Sequence, residues 1–135
     1  MPPPRALVID DSAVVRGFLR SQLECRGWTV AEAADAREGL LAFVQKKPQL
    51  VMLDLVMPIS DDDFGALQLA EFIKKEDPKV TLLIVSSFAT NPETRDFLDR
   101  LRLEFFEKPG VKNPDIQSLL ARVDDLFDEL SAMSQ

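Results

Sequence analysis

Short apolar runs alternate along the chain with stretches in which apolar residues recur every three or four positions. Ala6-Leu7-Val8-Ile9 is a continuous run of the kind presented by a strand buried on both faces, and Asp10-Asp11-Ser12 ends it. Val15, Phe18, Leu19 and Leu23 then fall at helical spacing until Arg26-Gly27 supplies a stop. Trp28-Thr29-Val30-Ala31 reads as a second strand. Asp35 and Glu38 form a capping box for a helix whose inner face is Ala36, Leu40, Phe43 and Val44. Leu50-Val51-Met52-Leu53 is a third strand; Asp54, a turn with Pro58, and a helix with Ala66, Leu69, Ala70 and Ile73 on one side follow it. The run from Val80 to Val85 is the fourth, with Asn91-Pro92 starting a helix that carries Thr94, Phe97, Leu98 and Leu101. Phe105-Phe106-Glu107 is a short fifth strand ahead of Lys108-Pro109-Gly110. Asn113-Pro114 then starts a last helix with Ile116, Leu119, Leu120, Val123, Phe127 and Leu130 facing inward.

Repeated β-then-α units predict an α/β fold in which one doubly wound parallel sheet carries helices on both faces, because right-handed crossovers place them there. A chain of 135 residues with 46% hydrophobic content supports one core, so a single domain over 1–135 is expected, ordered over about 5–131 and frayed at its ends.

Charge and composition narrow the function. Sixteen basic residues against 23 acidic ones give a net charge of −7, which repels nucleic acid and anionic membranes. No apolar run approaches the roughly 20 residues needed to span a bilayer, and the N-terminus lacks the pattern of a secretory leader, so a cytoplasmic location is expected. The single cysteine, Cys25, reads as a small packed hydrophobe. Histidine is absent, so any chemistry must come from carboxylates, hydroxyls and lysine.

In a doubly wound sheet, ligands bind beyond the carboxyl ends of the strands. There the sequence places Asp10 and Asp11, then Asp54, then Ser86 and Ser87, then Lys108. Carboxylates gathered in one pocket repel one another, and a divalent cation compensates; magnesium suits oxygen donors without His or Cys. The set describes a site for a dianionic phosphoryl group, with Asp54 as nucleophile, metal and Lys108 opposing the charge, and Ser86 donating to a phosphoryl oxygen. Each motif has a plainer reading when taken singly. Asp10-Asp11-Ser12 could be a helix cap, the serines strand-end hydrogen bonders, Lys108 a surface residue, and Phe105 and Phe106 plain core. The acidic stretch Asp61, Asp62 and Asp63 reads as a solvated loop whose last member caps the third helix.

Asp10-Asp11-Ser12, Asp54-Leu55-Val56-Met57-Pro58, Ile84-Val85-Ser86-Ser87 and Lys108-Pro109, in this order, resemble the signature of response-regulator receiver domains of two-component signalling. The resemblance covers nearly the whole chain. It implies a flavodoxin-like sheet of order 2-1-3-4-5 and a phosphoacceptor at Asp54. It also implies magnesium on Asp11, on Asp10 through water, on Asp54 and on the Val56 backbone carbonyl. Ser86 takes the hydroxyl-switch position, with Ser87 beside it, and Phe105 the aromatic-switch position; the bond to Pro109 is cis in such domains. The implied donor is a sensor histidine kinase or phosphotransfer protein. The output would be a protein target bound through helix four, strand five and helix five, by a monomer or a weak, phosphorylation-dependent homodimer. With the chain ending at helix five, a stand-alone chemotaxis-type receiver or phosphorelay intermediate is expected, rather than an enzyme.

Two features depart from the family. The segment between Pro58 and Gly65 is longer and more acidic than usual, and Val56 and Phe88 are apolar where many relatives carry polar groups that place a hydrolytic water. Slow loss of the phosphoryl group is the expected consequence. The competing readings are a small magnesium-dependent phosphatase with an Asp nucleophile, and a receiver-like binding module that is never phosphorylated. The former resembles an Asp-x-Asp motif with a cap domain, which the adjacent aspartates and short chain do not match. A nucleotide or flavin binder would show a Gly-rich loop after the first strand, and none follows.

Overall fold

The computed structural model describes residues 2–59, 62–87, 91–108 and 115–133. Five strands, β1 (Arg5–Ile9), β2 (Thr29–Ala33), β3 (Leu50–Leu53), β4 (Thr81–Ser86) and β5 (Glu104–Glu107), alternate with α1 (Ala13–Cys25), α2 (Ala36–Lys46), α3 (Ala66–Glu76), α4 (Pro92–Arg100) and α5 (Asp115–Met133). The strands pair in parallel in the order β2-β1-β3-β4-β5, as the motif resemblance implied. Chain order reverses at β1, so the carboxyl ends of β1 and β3 flank the crevice where such sheets take ligands.

Strand alternation divides the core in two. Leu7, Ile9, Val51, Leu53, Leu82 and Ile84 face α2, α3 and α4 with Phe43, Leu69, Ile73, Phe97 and Leu98. Ala6, Val8, Leu50, Met52, Leu83 and Val85 face α1 and α5 with Leu19, Leu23, Leu119 and Val123. The central strands are buried on both faces, which is why β1 and β3 read as continuous apolar runs. α2 lies so close to the sheet that a Cβ on Gly39 would meet Ile9 Cδ1 at 2.8 Å and Leu69 Cδ2 at 3.0 Å.

Helix stops explain one boundary that the sequence pattern misplaces. At the end of α1, the Gly27 N–H donates to the Glu24 carbonyl and the Trp28 N–H to the Leu23 carbonyl, each at 3.1 Å, with Gly27 at φ 96°. Trp28 is thus spent on the helix stop. β2 begins at Thr29, whose N–H bonds the Pro4 carbonyl at 2.9 Å.

Several expected core positions are exposed. Cys25 stands two residues beyond the buried Leu23, about 200° round the helix, and is open to solvent. Phe18 lies at the edge of α1, and Val44 lies outside the Ala36, Gly39 and Phe43 stripe that α2 buries. Asp63 does not cap α3. Its φ is 60°, Gly65 is the N-cap, and Gln68 Oε1 accepts from the Gly65 N–H at 3.0 Å. Asp35 and Asn91 do cap, accepting from the Glu38 and Thr94 N–H groups at 2.8 and 3.0 Å. α5 runs through Met133, past the point where fraying was expected. Expectations for Asp61, Phe88, the Lys108–Pro109 bond, Gly110 and the Asn113-Pro114 cap lie outside the described residues.

Candidate functional site

Each strand end is fixed by its neighbour before it presents a side chain. The Asp10 N–H donates to the Ala33 carbonyl at 3.1 Å, and the Asp54 N–H to the Ile9 carbonyl at 3.0 Å. The Lys108 N–H donates to the Ser86 carbonyl at 2.9 Å. β1, β3, β4 and β5 therefore terminate in register, and their next side chains enter one space.

There, Asp10, Asp11 and Asp54 each offer a carboxylate oxygen within 4.8 Å of the others. Asp10 and Asp54 are both 1% exposed, and Asp11 stands open at the mouth. Asp54 Oδ1 accepts from the Ser86 hydroxyl at 2.8 Å and from the Val56 N–H at 3.0 Å. Asp10 Oδ1 accepts from the Ser12 N–H at 2.8 Å, while the Ser12 hydroxyl accepts from the Val15 N–H at 3.2 Å as the cap of α1. Lys108 Nζ reaches across to Asp54 Oδ2 at 2.8 Å and to both Asp10 oxygens at 3.2 Å. Asp10 Oδ2 and Asp54 Oδ2 are buried and have no aligned hydrogen-bond donor among the described residues, only the ammonium at ion-pair distance.

The electrostatics follow from this crowding. Burial, with the Asp54 charge adding to it, pushes the Asp10 carboxyl above the usual carboxylate range, against the Ser12 N–H and Lys108. Burial alone would pull the Lys108 ammonium down, yet its close pairing with the carboxylates of Asp54 and Asp10 outweighs it and holds the group above its ordinary value. One ammonium faces two buried carboxylates and a third at the mouth. Hard oxygen donors, two of them lacking aligned partners, fit a magnesium-type cation well.

The structure therefore brings together Asp10, Asp11, Asp54, Ser86 and Lys108. It leaves Ser87 exposed in the bend after β4. Val56 is 53% exposed, with its N–H on Asp54. Phe105 is half-buried against the α4 side of the core, and Phe106 packs on the opposite side. A cavity of about 300 Å³ adjoins Asp11, lined among others by Asp35, Arg37, Pro58, Ile59 and Phe64. Arg37 lies 4.6 Å above the Phe64 ring and ion-pairs with Asp62, so the acidic segment is tied to α2 rather than merely solvated.

Sequence reasoning missed Arg16. Its Nη1 donates to the Asp10 carbonyl at 2.7 Å and its Nε to Glu32 Oε1 at 3.2 Å. The available signal was its place four residues after the capping Ser12, on the same side of α1.

Among the described residues, no helix is long and apolar enough to cross a membrane. The family model of the response regulator receiver domain matches residues 6–122. A probable transcriptional regulator, ycf27, from Porphyridium aerugineum is 35% identical over 130 residues, covering 92% of this chain and 51% of that protein. The chain spans about half or less of the length of the first curated relatives it matches. A CheY-like response regulator receiver domain from Methanospirillum hungatei superposes with a TM-score of 0.80 at 26% identity, covering 97% of this chain and 98% of that one. A response regulator protein from Burkholderia pseudomallei, solved with a phosphorylated aspartic acid, calcium ion and citrate, gives 0.72 at 25% identity, over 97% and 72% of the two chains. With its sheet order, its acidic cluster facing a lysine, and a family match over most of its length, the chain belongs to the response-regulator receiver domains.

Proposed function

We propose that Asp54 accepts a phosphoryl group from the phosphohistidine of a sensor kinase or phosphotransfer protein, and that the resulting acyl phosphate is a signal read by a protein partner. The observation that carries this reading is the convergence of three carboxylates within 4.8 Å, opposed by Lys108 at 2.8 Å from Asp54 Oδ2. The solved relative with a phosphorylated aspartic acid and a calcium ion supports it by analogy.

Mg²⁺ held by Asp10, Asp11, Asp54 and the Val56 carbonyl would cancel the repulsion between the carboxylates and withdraw charge from the phosphoryl oxygens. The chain's own residues do the rest. A carboxylate oxygen of Asp54 bonds to phosphorus as the P–N bond to imidazole breaks, and the electron pair leaves on the imidazole. The Ser86 hydroxyl and Val56 N–H hold Asp54 in one orientation beforehand. Lys108 covers Asp54 Oδ2, so the ammonium follows the negative charge from carboxylate to phosphoryl oxygen.

Ser86 is then drawn from Asp54 Oδ1 to the phosphoryl group, and Phe105 turns into the space it leaves. The face of α4, β5 and α5 changes as a population shift. Transfer is stoichiometric rather than turnover, and the phosphoryl group is lost slowly. Output goes to protein in the cytoplasm, from a monomer or a weak homodimer, without direct contact of this domain with nucleic acid or membrane.

The test is incubation with Mg²⁺ and acetyl phosphate, read by intact mass. One added phosphoryl group that hydroxylamine removes is expected, absent without Mg²⁺ and absent in Asp54→Asn. An unmodified mass under those conditions, or an adduct that survives Asp54→Asn, overturns the reading.

A further inference from the structure

Arg16 belongs to none of the roles above, yet it contacts the backbone of the residue that the acidic pair depends on. Its side chain is 18% exposed, well below that of an ordinary surface arginine. Nη1 donates to the Asp10 carbonyl at 2.7 Å, and Nε pairs with Glu32 Oε1 at 3.2 Å. Glu32 lies on β2, one residue before Ala33, whose carbonyl accepts from the Asp10 N–H at 3.1 Å. Arg20 Nη1 holds the other Glu32 oxygen at 2.8 Å and pairs through Nε with Glu24 at 3.2 Å. Asp10 is thus fixed through its amide by β2 and through its carbonyl by a guanidinium anchored to β2.

A bare carbonyl beside two buried carboxylates would add negative potential to a site already crowded with it. The guanidinium satisfies that carbonyl and brings a second fixed positive charge, besides that of Lys108, to the Asp10 backbone. Only a planar fork reaches both acceptors at once, and a lysine ammonium must choose. Outer groups of this kind typically change metal affinity by about 10–100-fold when removed.

We infer that Arg16, braced by Glu32, is a positioning residue for the acidic pair: it fixes the Asp10 backbone so that Asp10 and Asp11 stay poised to hold a divalent cation. This rests on the proposed function of the pocket. The chemistry is distinct from that of Lys108, since Arg16 touches neither the carboxylate oxygens nor the phosphoacceptor.

The experiment is calorimetric titration of Mg²⁺ into the full chain, beside Arg16→Met, Arg16→Lys, Glu32→Gln and Arg20→Met, with urea unfolding of each in metal-free buffer. Arg16→Met is expected to weaken Mg²⁺ binding by at least about tenfold. Arg16→Lys should recover only part of the loss, since charge without the fork is insufficient. Glu32→Gln should weaken binding less, and Arg20→Met, which breaks only outer pairs, should leave it unchanged. Mg²⁺ affinity that tracks unfolding free energy across all four variants would reduce Arg16 to a structural residue and overturn the inference. So would parental affinity in Arg16→Met, or in Glu32→Gln should the former not fold. A parent chain that binds no Mg²⁺ would remove the proposed function together with this inference, whereas a parent that binds with unaltered variants removes the inference alone.

Discussion

The Ser86 hydroxyl donates to Asp54 Oδ1 at 2.8 Å, joining the ends of β4 and β3 inside the pocket. The serine is 0% exposed, so in this state its hydroxyl is committed to the carboxylate and no water substitutes for it. Ser86→Ala removes a charge-assisted bond while the Val56 N–H stays on the same oxygen. A loss of about 1.5 kcal/mol in urea unfolding is expected. Aspartyl phosphate should still form, while its effect on the chemical shifts of β5 and α5 amides should shrink; parental shift changes would exclude a switching role for this serine.

Asp10 and Lys108 set a pH dependence at opposite ends of the scale. For Asp10, the folded value is raised, so its stabilising contribution is complete below the unfolded carboxyl range near pH 4 and is lost as pH rises through the higher folded value. At neutral pH the ionised Asp10 therefore opposes folding. Asp10→Asn should raise the Tm in metal-free buffer by about 4 °C, the shift that about 1 kcal/mol produces in a domain of this size. The same variant should lose most of the further stabilisation that millimolar Mg²⁺ gives the parent. Calorimetric scans with and without Mg²⁺ check both halves.

For Lys108 the raised folded value works at the other end of the scale. Its contribution is complete below the unfolded lysine value, about pH 10.4, and disappears as pH rises through the folded one. Lys108→Met should cost about 3 kcal/mol at pH 7, because it leaves Asp54 and Asp10 without their cation. That difference from the parent should close as pH rises through the raised folded value. A gap unchanged across this range in urea titrations would show that the ammonium's charge is not what stabilises the pocket.

Val56 and its 53% exposure bear on how long the signal lasts. An apolar side chain at the pocket's edge offers an attacking water no hydrogen bond. Val56→Asn should shorten the half-life of the aspartyl phosphate by about tenfold, less than a general base supplies, because an amide orients the water without taking its proton. Loss of the added phosphoryl mass with time measures it.

Lys47 tests the fold alone. It ends α2 in the left-handed region at φ 49°, and its carbonyl accepts from Arg5 Nη2 at 2.9 Å. Those backbone contacts survive replacement, so Lys47→Gly should stabilise by about 0.5–1 kcal/mol, and Lys47→Val should destabilise. Denaturation midpoints decide it.

The reach of the sequence is clearest where one position had to satisfy two demands. Asp10, Asp54, Ser86 and Lys108 were legible because each interrupts or follows an apolar run, where an unpaired polar group would be costly. Parallel pairing puts them at one edge of the sheet, and the strand order implied by the family resemblance brings them into one pocket. Arg16 and Glu32 gave no such signal, since an arginine on a helix and a glutamate on an edge strand look like ordinary surface until sheet order places them together. Cys25, Phe18 and Val44 read as core because helical spacing gives the width of a face but not where packing against the sheet centres it. Residue type points to Asp63 as a cap, although a glycine two positions on supplies the extended backbone and a glutamine the acceptor. Ser87 shares its neighbour's chemistry but lies beyond the end of β4, exposed, where Ser86 is buried.

Trp28, spent on closing α1, meets the Phe127 ring of α5 edge-on at 6.0 Å, and a Cβ on Gly27 would press the same ring at 3.1 Å. It is the chain's only indole, and it stands at the opposite end of β1 and β2 from the acidic pocket. Its emission is thus a built-in fluorophore for the seating of the last helix, independent of direct quenching by whatever ion enters at Asp10 and Asp11.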